Sequence, residues 1–134
     1  MLALFGLLAC GFQAESGYYD VDLQVIAVDA PEGWNLSVAV DATDIWRVRG
    51  TGEGVQFFDA TDCTLEGMSF LCEPYTVADD GVHGDLVLEG TWADERTFDG
   101  VLVTTWWCDG GDCPTGPAVV TQDVTGAWAA PQED

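Results

Sequence analysis

The chain has 134 residues, enough for one domain with one sizeable core, and carries 24 acidic against 3 basic side chains, a net charge of -21. That charge repels phosphate backbones, which excludes nucleic-acid binding, and it leaves membrane attachment to hydrophobic or covalent means. Hydrophobic residues at 48%, with six Trp and six Phe among the aromatics, exclude a disordered chain, and acids scattered along the whole length mark a solvated, self-repelling exterior.

Residues 1–9 are apolar throughout, ending on Ala9 before Cys10 and Gly11. Crossing a bilayer takes about 20 residues, so this run suits instead the apolar region of a signal peptide. Leu7-Leu8-Ala9-Cys10 resembles the lipobox of bacterial lipoproteins. The resemblance implies that a diacylglyceryl group is joined to the Cys10 thiol, that the chain is cut just before it, and that the new amino terminus is acylated, with palmitate for example. The small Ala9 lets a peptidase reach the bond, and each buried CH2 of an acyl chain adds about 0.8 kcal/mol of membrane affinity. A protein of the bacterial cell envelope follows, and Gly11 in place of Asp is compatible with transfer to an outer membrane. One departure from the family pattern is that no Lys or Arg precedes the apolar run. On this reading residues 1–9 are the signal peptide, 10–17 the lipidated cysteine with a short polar tether, and 18–134 a single β domain.

From Tyr18 onward the apolar residues recur with period two. Tyr19, Val21, Leu23 and Val25 alternate with polar residues; so do Trp34, Leu36, Val38 and Val40, and then Trp46 and Val48. Such alternation sets one face on a core and one in water. Turn residues part the runs: "DAPEG" after the first, "DATD" as a hairpin before "IWRVRG", "GTGEG" before "VQFFDA", "ADDGVHGD" before "LVLEGTW", and "ADERT" before "FDGVLVTTWW". The last run, "AVVTQDVTGAWA", is again β-branched and aromatic. About eight strands at short spacing predict an all-β domain, an antiparallel meander barrel or, failing that, a sandwich. Gly90, Gly100 and Gly126, inside strands, are expected to supply the bends or bulges that curl the sheet.

Five cysteines leave one without a partner, and the lipid reading assigns that one to Cys10. Cys63, Cys72, Cys108 and Cys113 allow three pairings. The local one joins Cys63 to Cys72 across "CTLEGMSFLC", a hairpin turning near Glu66-Gly67, and Cys108 to Cys113 across "CDGGDC", whose glycines permit a tight reversal. No C-x-x-C pair of the kind zinc sites use is present, and the one histidine, His83, lies far along the chain from Cys63 and Cys72; two disulfides imply an oxidising, exported setting.

Signals for chemistry are sparse. His83 reads as an exposed turn residue with no nucleophile pattern around it. Neighbouring acids such as Asp79-Asp80 and Asp94-Glu95 are expected by chance among so many, so a carboxylate-based hydrolase stays the weakest reading and no catalytic residue or cofactor is assigned. Calcium is the alternative, through carboxylate pairs on tight turns at Asp41 and Asp44, Asp59 and Asp62, and Asp109 and Asp112; none follows the full calcium-loop pattern, and no metal ligand is assigned. Trp106 and Trp107 are adjacent, so in a strand they point to opposite faces and one of them leaves the main core, a candidate partner surface. The expected function is a non-enzymatic binding or structural module, its partner a protein, a glycan or a small apolar ligand.

Overall fold

The computed structural model describes residues 12–34, 41–51, 54–58, 61–79, 81–108, 113–114 and 116–131. Cys10 and the expected strand over "NLSVAV" lie outside the described residues. Nine strands follow one another: β1 (Gly17–Asp29), β2 (Ala42–Gly50), β3 (Gly54–Phe57), β4 (Thr61–Glu66), β5 (Ser69–Cys72), β6 (Tyr75–Asp79), β7 (Val82–Asp94), β8 (Thr97–Cys108) and β9 (Ala118–Ala130). All pair antiparallel in one sheet, each with the next in sequence except β5 and β6, which both pair with β7. β9 returns to β1 and β5 reaches β7, which closes the ring. β8 occupies one edge of β7 along its whole length. β5 and β6 share the other edge, at Glu89–Thr91 and Val82–Leu86. They act as one interrupted strand, so the ring has eight positions and no open edge in its lower half. The meander barrel expected from the alternation is the observed architecture.

The wall is uneven in height. β1, β7 and β9 run 13 residues each and β8 runs 12, whereas β3 and β5 have four. The core lies in the low part, to which every strand but β6 contributes among the described residues. Tyr19, Trp46, Phe57, Phe70, Trp92 and Phe98 are buried there and pack ring against ring at centroid distances such as 5.0 Å for Trp92–Phe98 and 5.3 Å for Phe57–Phe98. Each such side chain withdrawn from water contributes about 1.5–3 kcal/mol, with about 0.5–1.5 kcal/mol more for a well-placed aromatic pair.

Two expectations shift. The strand glycines do not mark the irregularities of the sheet, which fall at Tyr18/Tyr19, Val25/Ala27 and Trp92/Asp94. Gly126 instead lies under the Phe98 ring, and a Cβ there would occupy the ring's place; Gly90 and Gly100 sit opposite each other, with the Phe70 ring against Gly90. Small residues make room for large rings inside a narrow barrel. "DATD" is likewise no hairpin tip. Ala42, Thr43 and Asp44 already belong to β2 and pair with Leu23, Asp22 and Val21 of β1.

Residues 12–16 close one end of the barrel. Ala14 is buried, Phe12 packs on Trp92 at 6.0 Å, and the backbone N–H of Glu15 donates to the Glu95 carbonyl at 2.8 Å. The Trp128 Nε1–H donates to the Ser16 carbonyl, and the Gly50 N–H donates to the Ser16 hydroxyl oxygen.

Candidate functional site

The low barrel is filled by its own side chains, and two open concavities among the described residues are lined largely by outward-facing side chains. One groove of about 860 Å³ runs over β9, β8, β7, β5 and β4, and a second of about 1050 Å³ over β2, β1, β9 and β8. They share Asp99 and Thr125 and form one tract. Register dictates what lines it. One outward row reads Thr43, Asp22, Thr125, Asp99, Thr91, Ser69, Glu66 from β2 round to β4. The next reads Gln24, Asp123, Val101, Glu89, Leu71, Thr64. Hydroxyls and carboxylates alternate in the first row from Thr43 to Thr91, and in the second Val101 parts Asp123 from Glu89, beside an exposed Leu71.

No two carboxylates stand directly opposite in any described strand pairing. Direct neighbours lie about 5 Å apart and diagonal ones about 7 Å. In water that lowers the repulsion from about 0.8 to about 0.6 kcal/mol per pair. A threonine next to an acid also donates to it: Thr76 Oγ1 to Asp85 at 3.0 Å, and Thr97 Oγ1 to Asp94 at 3.0 Å. The backbone N–H of Arg96, and then the Thr97 hydroxyl, hold the Asp94 carboxyl below its ordinary range. An outer wall bearing Asp22, Glu89, Asp99 and Asp123 meets water rather than the apolar band of a bilayer.

The disulfides join Cys63 to Cys72 and Cys108 to Cys113. The first staples directly opposed residues of β4 and β5, at the Gly67-Met68 turn's far end. Trp106 and Trp107 point to opposite faces of β8, as adjacency requires. Trp106 turns inward over Gly84, while Trp107 stays 39% exposed and stacks on His83 with planes 17° apart. His83 is thus a β7 strand residue and not a turn residue.

The acids proposed for calcium are engaged in local structure where described. Asp41 Oδ1 accepts from the Val25 N–H, Asp44 accepts from the Ile45 N–H and the Trp46 indole, and Asp62 accepts from Gln56. Asp59, Asp109 and Asp112 lie outside the described residues, as does Asp80. Among the described residues no group of three or more His, Cys, Asp or Glu is arranged to hold a metal ion. Sequence reading missed the outward rows, because a row across strands exists only once the register is fixed.

Comparison with family models, with curated proteins and with solved structures finds no match to this chain.

Proposed function

We propose that this chain is an exported protein of the bacterial cell envelope, held to a membrane by a lipid on Cys10, and that its acidic barrel is a non-enzymatic binding scaffold read from outside. The observation that carries the reading is the pairing of the cysteines. Cys63, Cys72, Cys108 and Cys113 are joined among themselves, which leaves Cys10 of the five for another fate. The lipobox resemblance supplies that fate, and disulfides belong to compartments outside the cytosol. By the same resemblance, Gly11 suits an outer membrane.

The packed aromatic interior supports a partner on the surface over a small apolar ligand inside. The outward rows of Asp22, Asp99, Asp123 and Glu89 suit a protein segment that brings positive charge. The exposed Trp107, stacked on His83, favours a glycan as the second reading, because a flat ring is a platform for a sugar face. Mass spectrometry of the protein extracted from membranes tests the anchor. The expected species begins at an acylated Cys10 and keeps both disulfides; a soluble, reduced chain beginning at Met1 would falsify the proposal.

A further inference from the structure

We infer that the closed end of the barrel sits on the lipid surface and that the short link from Cys10 holds the barrel upright; this rests on the acylation of Cys10 proposed above. The segment behind the anchor is part of the fold and not a free leash. Tyr19 donates to the Glu15 carbonyl at 2.6 Å and is 3.2 Å from that of Glu95. Arg96 pairs with the Glu15 carboxylate at 3.1 Å and lies 4.3 Å from the Trp128 ring centroid. Ala14 is buried, and Ser16 is bonded to β2 and β9. Only Gly11 separates Cys10 from Phe12. Two extended residues span about 7 Å, so an acylated Cys10 draws this end of the barrel down to the headgroups.

The chemistry of that end suits a zwitterionic phospholipid surface. Phe12, Met68 and Ala93 line a shallow groove of about 450 Å³ together with Asp94, Glu95 and Arg96. Met68 is 38% exposed, an apolar residue presented at a turn tip. Its mix of one guanidinium with two carboxylates matches a headgroup carrying both signs, and the surplus of acid disfavours an anionic lipid. The opposite end is kept away. Met68 bonds to Trp92 of β7, whereas Val77 pairs with Gly84, eight residues farther up that strand. At about 3.3 Å per residue the separation is about 26 Å, which leaves Trp107 and His83 pointing outward from the membrane.

The test is photo-crosslinking of the acylated protein, its lipid confirmed by mass spectrometry, in phosphatidylcholine vesicles. A benzophenone side chain is placed at Met68 or, separately, at Val77, both exposed positions that leave the core intact. Lipid adducts from position 68 are expected to exceed those from 77 by about tenfold, since only the former lies within the interfacial layer. Inserting six Gly and Ser residues after Gly11 should bring the ratio toward one. Equal adducts at native spacing, or a ratio unmoved by the insertion, overturns the upright seating and leaves the anchor standing. An unmodified Cys10 overturns the anchor itself, and the seating with it.

Discussion

At the scale of single residues, Tyr19 ties the closing segment to the wall. Its ring is buried among Trp92 and Phe98, and its hydroxyl reaches carbonyls of Glu15 and Glu95. Tyr19→Phe keeps the ring and removes the tie, so we expect a loss of about 0.5–1.5 kcal/mol in urea unfolding at neutral pH. Burial, assisted by Glu15, raises the Tyr19 phenol above its ordinary 10.0, and burial pushes Tyr75 up to about 12. The sign follows from linkage. Above about pH 10 the unfolded chain releases phenolic protons that the folded one keeps, so stability present below that pH is lost as it rises toward 12. Tyr19→Phe should flatten this alkaline fall, read by the same unfolding series. Phe58 shows a different device. At φ 60° it leaves the strand conformation, and both Phe57 and Phe58 turn toward the core, the latter against Trp46 at 4.5 Å. A non-glycine residue seldom adopts this backbone, and ring packing holds it there.

At the scale of elements, the β4–β5 hairpin is the piece most dependent on a covalent staple. Its strands have only six and four residues, and the disulfide joins the pair farthest from the turn. Cys63 and Cys72 are buried in the core. Replacing both by Ala should cost about 2–3 kcal/mol from loop entropy, and more through the space left in the core. Replacing Cys108 and Cys113, which are only half-buried, should cost less. Thermal unfolding of the two double variants checks the order, and equal losses would show that core position adds nothing. β1 was legible from alternation, although it buries one face only over its first half, and β8 and β9 from the turn residues that bound them and, in β9, a β-branched and aromatic run. β2 was read too short, because Ala42 to Asp44 look like turn residues and are strand only through β1.

At the scale of the molecule, one sign of charge covers a closed barrel. With 24 acids and three arginines, attraction between side chains cannot balance the surface, and spacing does the work that ion pairs do elsewhere. Threonine or an apolar residue stands between carboxylates in the outward rows. Residual repulsion is screened by salt over about 10 Å at 0.1 M ionic strength. The melting temperature should therefore rise from about 10 mM to about 0.5 M sodium chloride, where the Debye length shortens from about 30 Å to a few ångströms. A melting temperature that fell with salt would mean that arginine pairs such as Arg96 with Glu15 outweigh the repulsion.

The amino-acid order by itself determined the class, the meander and both disulfide pairs, because period two, turn residues and cysteine spacing are local properties. Only the folded chain decided the closure of β5 on β7, the glycines beneath Phe98 and Phe70, the outward rows and the end sealed by residues 12–16. These depend on contacts between distant residues, such as Tyr19 with Glu95 and Trp128 with Ser16, 76 and 112 positions apart. Register sets such contacts, and register is a property of the whole sheet.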